Sequence, residues 1–143
     1  DPLSKELEDK LSTALGNFGQ EVINDRKSIL VEKIKIAIIS ALSQTEKKLT
    51  VNFPSYLSDQ LHYSYTHLAR IFSQETGSTL EQFIINCKIE RAKEMLSMPD
   101  VSISEIAYRL HYSNVAHLSN QFKKVTGLRP TEYKQRAKSD NTP

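Results

Sequence analysis

The sequence is poor in the residues that build disulfides, metal clusters and phosphate loops. Among its 143 residues there is one cysteine, Cys87, which excludes an internal disulfide and any zinc site made of several cysteines. A chain with four glycines also lacks a Gly-rich loop for phosphate groups. Apolar runs reach four residues (Ile36–Ile39), whereas a membrane span needs roughly 20. With no secretory signal at the N-terminus, these absences predict a cytoplasmic protein that has no membrane partner and no cofactor.

Catalytic and metal-binding constellations are also missing. The carboxylates are dispersed along solvated helix faces, and no His–acid pair accompanies Cys87 that would activate its thiol. The four histidines occupy two separate segments, so a zinc site would require those segments to converge. We therefore expect no enzymatic activity and no metal site.

The net charge of +2 is unevenly distributed. Residues 49–108 carry four basic and seven acidic side chains, a net charge of −3, whereas residues 109–143 carry seven basic and two acidic ones, a net charge of +5. A basic C-terminal end favours a polyanionic partner, although a solvated charged tail is the common alternative.

Almost the whole chain has the three- and four-residue apolar spacing of amphipathic helices. The first such helix should run from Ser28, as its N-cap, to about Gln44, and a tail from Ser139 should be frayed. Between them, caps and stop signals predict helices beginning at Asn52, Ser64, Thr79, Ser102, Asn114 and Pro130, with ends near Leu61, Gly77, Met98, Leu110 and Gly127.

Residues 1–27 differ from the rest. A leucine every fourth residue from Leu3 to Leu15 predicts a helix, and Phe18–Asp25 has the pattern of a short strand. One helix and one strand cannot bury their apolar faces alone. We interpret this segment as the end of a small α/β domain, with a helical dimerisation arm as the alternative.

An internal duplication is the most informative feature of the chain. Residues 61–64 (Leu-His-Tyr-Ser) recur as residues 110–113, and after one inserted residue the match continues at an offset of 50. The matched pairs are His67-Leu68 with His117-Leu118, Phe72 with Phe122, Thr76-Gly77 with Thr126-Gly127, and Phe83 with Tyr133. Each copy predicts a short helix, a tight turn and a second helix, which is the helix-turn-helix arrangement of DNA-binding proteins.

In each copy the second helix should bury one face and expose the other. Leu68 and Phe72, like their counterparts in the second copy, lie four residues apart and should face the core. Ser64 and Ser113 stand where a short side chain can cap these helices. The outward positions are then Thr66, Ala69 and Arg70 in the first copy and Ala116, Asn120 and Gln121 in the second.

A helix of 19 residues, Leu80 to Met98, separates the copies and would be about 28 Å long. Successive major-groove segments on one face of DNA lie roughly 34 Å apart. A rigid helix of comparable length can therefore present both second helices to one duplex.

Ser104-Glu105-Ile106-Ala107 is followed by the run from His117 to Lys134, in which Phe-Lys-Lys, Gly, Pro and Tyr hold a fixed spacing. This pattern is similar to the C-terminal signature of the AraC/XylS family of bacterial transcription regulators. The resemblance covers residues 28–136 and implies seven helices, two helix-turn-helix units joined by a linker helix, promoter binding and contact with RNA polymerase. Two positions depart from the pattern, because His62 and His111 replace the glycine usual at the turn, where φ tends to be positive. In compact relatives a ferredoxin-like domain precedes this region, and residues 1–27 resemble its end.

The predicted fold is therefore all-α, with a DNA-binding domain over residues 28–143 behind the helix–strand segment 1–27. The first helix-turn-helix spans about 53–77, the linker helix about 80–98 and the second helix-turn-helix about 102–127. The predicted partner is double-stranded DNA, with RNA polymerase as a second partner, and no small-molecule effector is identified. Predicted base contacts are Thr66, His67, Arg70, Ala116, His117, Asn120 and Gln121, and predicted backbone contacts are Ser64, Ser113, Lys123, Lys124 and Arg129.

Two other functions fit the same sequence less well. A helix-turn-helix scaffold can serve as a protein-interaction module that recruits RNA polymerase or another regulator, and the acidic first copy favours this. Residues 1–27 can alternatively belong to a domain that senses a small molecule.

Overall fold

The computed structural model describes residues 25–43 and 52–140, and each regular element within them is an α-helix. The predicted all-α fold is confirmed for this part of the chain. Helix α1 covers residues 25–43. The helices that follow are α2 (Phe53–Leu61), α3 (Tyr65–Thr76), α4 (Leu80–Leu96), α5 (Ile103–Arg109), α6 (Val115–Thr126) and α7 (Pro130–Asp140).

Most helix ends lie where local chemistry predicts them. Gly77 and Gly127 end α3 and α6 with φ of 78° and 82°, in the left-handed region that glycine adopts without strain. Four predicted N-caps are confirmed by hydrogen bonds from backbone N–H groups to their side chains: Ser55 to Asn52 (3.4 Å), His67 to Ser64 (3.2 Å), Gln82 to Thr79 (3.1 Å) and Glu105 to Ser102 (3.1 Å).

Two predicted caps are wrong. Ser28 lies inside α1, which already includes Asp25, because no helix-breaking residue separates the two positions. Helix α1 thus crosses the predicted boundary between residues 27 and 28, and Asp25 is helical rather than the end of a strand. In the second copy, Asn114 caps α6 by accepting a hydrogen bond from the His117 N–H at 2.8 Å, because the inserted residue moves the helix start one position past Ser113.

Other boundaries differ slightly. Helix α4 ends at Leu96 rather than Met98, since Ser97 caps it ahead of Pro99. Helix α7 extends through Ser139 to Asp140, into the tail expected to be frayed. The predicted helix from Leu3 to Leu15 and the predicted strand up to residue 24 lie outside the described residues.

Helix α4 is the centre of the packing. It contacts α3, α5, α6 and α7, and the buried side chains form one continuous cluster that runs from α1 to α6. Phe83 and Cys87 are half-buried on α4, whereas Met95 is fully enclosed. The fully or almost fully buried residues of α4 are Leu80, Ile84, Ile89, Ala92, Met95 and Leu96. Both helix-turn-helix units therefore share one core.

The duplication in the sequence is a duplication in space. The Phe72 and Phe83 rings lie 5.2 Å apart between centroids, and the equivalent rings of Phe122 and Tyr133 lie 5.6 Å apart. Thr76 ends α3 by donating its hydroxyl to the Phe72 carbonyl at 2.7 Å. The matching bond from the Thr126 hydroxyl to the Phe122 carbonyl measures 2.8 Å.

Candidate nucleic-acid interface

Both helix-turn-helix turns pass through a histidine in the left-handed conformation. His62 has φ 62° and His111 has φ 65°, as expected for positions where the family usually has glycine. The His62 N–H donates to the Ser58 carbonyl at 2.9 Å, and the His111 N–H donates to the Tyr108 carbonyl at 3.2 Å. These turns end α2 and α5 sharply and set the start of α3 and α6.

Helix α3 buries Leu68 and Phe72 and exposes the side expected to face DNA. Thr66 and Arg70 are exposed there, as predicted, whereas Ala69 is half-buried against the core. The guanidinium of Arg70 lies 3.0 Å from Nδ1 of His67, which accepts the bond if the ring proton is on Nε2.

The His67 ring is fixed from its other side as well. It stacks on the Tyr63 ring with centroids 5.0 Å apart and an interplanar angle of 26°. Helix α3 therefore presents an ordered pair, His67 and Arg70, rather than two free side chains.

Helix α6 repeats this plan with different side chains. Leu118 and Phe122 are buried, while Ala116, His117 and Asn120 are exposed. The His117 ring meets the edge of Tyr112 at 5.0 Å, and its Nδ1 lies 3.2 Å from the hydroxyl of Ser113. Ser113 thus orients a side chain on α6 instead of capping that helix.

Gln121 does not point outward as expected. It is half-buried, and its Oε1 accepts a hydrogen bond from the Tyr112 hydroxyl at 2.5 Å. One turn of helix places position 121 at the edge of the buried face formed by Leu118 and Phe122, close enough for Tyr112 to hold it.

Three of the five predicted backbone contacts lie at the C-terminal end of α6. Lys123 and Lys124 occupy its last turn, and Arg129 follows two residues after Gly127. All three are exposed and provide the positive charge that phosphate groups attract. Ser64, which is also a predicted backbone contact, uses its oxygen as the cap of α3, and its hydroxyl proton is left to donate outward.

Three buried or half-buried groups support the site, and sequence reasoning did not assign them this role. Burial raises the pKa of Tyr112 and lowers that of Lys88, whose Nζ lies 5.2 Å from the centre of the Tyr112 ring. Burial and a 2.9 Å hydrogen bond to Glu81 raise the pKa of Tyr65. The tyrosines therefore stay protonated and serve as donors. The matching Tyr63 and Tyr112 of the duplication were the signal for the aromatic supports.

Across residues 25–43 and 52–140, no three His, Cys, Asp or Glu side chains are grouped so that they could hold a metal ion. None of the described helices combines the length and apolar character of a membrane span.

Comparison with known proteins places this geometry in a family. The protein-family model described as "Helix-turn-helix domain" matches residues 57–136 of the chain. The chain is 31% identical to the HTH-type transcriptional activator RhaR of Mannheimia succiniciproducens over 103 residues. The matched region covers 70% of this chain and 36% of that protein. This chain spans less than a quarter of the length of two other curated relatives that it matches.

Solved structures agree with the fold. The C-terminal domain of AraT, a response regulator from Geobacillus stearothermophilus, superposes with a TM-score of 0.61 at 26% identity, covering 75% of this chain and 84% of that one. The DNA-binding domain of AdpA, solved in complex with a target DNA, has the same TM-score of 0.61 at 21% identity. This match covers 78% of this chain and 95% of that one. With both helix-turn-helix units, their shared linker helix and the family model in agreement, the chain belongs to the AraC/XylS family of DNA-binding transcription regulators.

Proposed function

We propose that the chain binds double-stranded DNA sequence-specifically, without catalysing a reaction, and that α3 and α6 each read one major-groove segment. The observation that carries this proposal is the repeated geometry on both sides of one unbroken helix. Helix α4 has 17 residues and is therefore about 26 Å long. That length is comparable with the roughly 34 Å between successive major-groove segments on one face of DNA. The fold of the AdpA domain, which was solved with its target DNA, supports duplex binding by this architecture.

Side-chain chemistry assigns the roles. Arg70 suits a guanine, Asn120 suits an adenine, and Ala116 offers a methyl group to thymine. Thr66, His67 and His117 complete the base contacts. For Gln121, whose oxygen is held by Tyr112, the contact to DNA would come from its Nε2 group.

Selection of bound sequences from random DNA tests the proposal. We expect a bipartite consensus with half-sites about 10–10.5 base pairs apart, centre to centre. A single short half-site would contradict reading by both helices, and no enrichment at all would refute sequence-specific binding.

Two variants separate base contacts from phosphate contacts. Arg70→Ala should cost about 1–3 kcal/mol on the selected site and relax the preference at one base pair. Equal losses on selected and random DNA would show that Arg70 touches only phosphate. Lys123→Ala should weaken binding to all sequences and reduce the slope of log K against log salt by about one unit. An unchanged slope removes Lys123 from the interface.

We also propose that RNA polymerase or another regulator binds a surface away from the DNA. The net charge of −3 over residues 49–108 and the similarity to a protein named as a transcriptional activator support it. A gel shift on the selected site distinguishes a DNA-binding regulator that also binds such a partner from a pure adaptor. A pure adaptor would show only weak, salt-labile binding to DNA.

A further inference from the structure

The first helix-turn-helix unit has too few cations for a DNA-binding unit. Between Asn52 and Gly77, Arg70 is the one basic residue, against two acidic ones, Asp59 and Glu75. The second unit carries Lys123, Lys124 and Arg129 on or beside its recognition helix. Because phosphate neutralisation supplies most of the sequence-independent affinity for DNA, the first unit must find positive charge elsewhere if it binds as the second does.

Helix α1 brings that charge to the first unit. Three of its cations line a cavity of about 380 Å³ whose opposite wall is the turn and recognition helix of the first unit. The lining residues that matter here are Arg26, Lys27 and Lys33 from α1, and His62, Tyr63 and His67 from the turn and α3. Sequence reasoning could not assign these cations to the site, because 29 residues or more separate them from the turn.

The cavity lies beside the N-terminal end of α3, which determines the part of the DNA that it would face. His62 and Tyr63 come directly before the N-terminal end of α3, and in a helix-turn-helix it is this end of the recognition helix that contacts base edges. A positive rim beside the turn therefore lies next to the DNA strand that borders the groove. The cavity floor is apolar, so the aliphatic stems of Lys33 and Arg26 can lie over it while their charged ends reach outward.

The three cations are also accessible to a phosphate group. Arg26 and Lys33 are exposed, Lys27 is half-buried, and the ion pairs found among the described residues include none of the three. Lys35 is different, because helical spacing places it on the side of α1 opposite Arg26 and Lys33, and it pairs with Glu32 at 3.7 Å.

We propose that Arg26, Lys27 and Lys33 bind backbone phosphates flanking the segment read by α3, so that α1 supplies the positive charge that the first unit lacks. The inference rests on the proposed function of the chain as a DNA-binding protein. It extends the interface to a third helix, outside both helix-turn-helix units.

The test compares the triple variant Arg26→Gln, Lys27→Gln, Lys33→Gln with Lys35→Gln, which removes one cation from the other side of the same helix. Binding to the selected site and to random DNA is measured between 50 and 200 mM salt. The triple variant should reduce the slope of log K against log salt by up to about three units, since each phosphate contributes about 0.9, and should weaken both DNAs equally. Lys35→Gln should leave the slope within about half a unit of the wild-type value.

Ethylation interference on the wild-type chain gives a second reading that does not depend on the variants. Phosphates flanking the half-site of α3 should be sensitive, and the triple variant should lose that sensitivity alone. An unchanged slope in the triple variant, or an equal effect of Lys35→Gln, overturns the inference while binding by α3 and α6 stands. A wild-type chain that binds no duplex overturns the proposed function, and this inference with it.

Discussion

Replacement of His62 or His111 by glycine should stabilise the domain. Each histidine ends a helix in the left-handed region, at φ 62° and 65°, where a Cβ atom crowds the following carbonyl oxygen. Both side chains are exposed, so their removal leaves no cavity in the core. Glycine adopts the same backbone conformation without the steric cost.

The size of the gain follows from two opposing terms. The left-handed conformation costs an L-residue about 1–2 kcal/mol, and histidine lies toward the lower end because it tolerates this region better than most. Glycine in turn loses about 0.4–1 kcal/mol because its unfolded chain is more flexible. We expect a net gain of up to about 0.6 kcal/mol in the free energy of unfolding at each position, or up to about 3 °C in Tm.

Urea unfolding followed by circular dichroism measures this effect, with His62→Ala and His111→Ala as controls. Alanine removes the imidazole but keeps the Cβ atom, so it should give no stabilisation. If glycine and alanine change the stability equally, or if glycine destabilises the domain, backbone strain at these turns is not the reason that glycine is usual there.

Three further perturbations test the packing around the interface. Because burial and the bond to Glu81 raise the pKa of Tyr65, its stabilising contribution is complete below the ordinary tyrosine pKa of about 10 and declines as pH rises through the folded-state value. Tyr65→Phe should therefore flatten part of the alkaline loss of stability in urea titrations, and an unaltered pH profile would contradict this. Burial raises the pKa of Cys87 to about 11, so its reaction with a disulfide reagent at pH 8 should be at least about tenfold slower than that of a free cysteine and should accelerate with pH. A rate equal to that of glutathione would show that the thiol is not shielded. Gln121→Ala should lower the free energy of unfolding by about 1–2 kcal/mol, because it leaves the Tyr112 hydroxyl without its acceptor. Unchanged stability would show that the hydrogen bond between Tyr112 and Gln121 does not stabilise the fold.

Features that depend on neighbours within four residues were predictable from the sequence. The caps at Asn52, Ser64, Thr79 and Ser102 are of this kind, since the side chain and the N–H group that it accepts from are three positions apart. The duplication also predicted the tight turn in each copy. Ser113 shows the limit of this reasoning, because it stands beside Asn114 and both are good capping residues, so local sequence does not choose between them.

Features that depend on packing between distant residues were not predictable. Gln121 is drawn inward by Tyr112, which lies nine positions earlier and reaches it through the fold of the turn. Arg26 and Lys33 approach the first turn because α1 packs beside α2 and α3. The predicted DNA contacts stay predictions, because the protein surface shows which side chains are exposed and not which of them contact DNA.

The continuity of α4 has a consequence for the target sites under the proposed function. Because one unbroken helix packs against both units, the distance between α3 and α6 is set by the protein. If both helices read DNA as proposed, an insertion of about five base pairs between the half-sites would turn one of them to the far side of the duplex, since DNA completes a turn in about 10–10.5 base pairs. The base sequences of such sites should then vary more readily than the spacing between their half-sites.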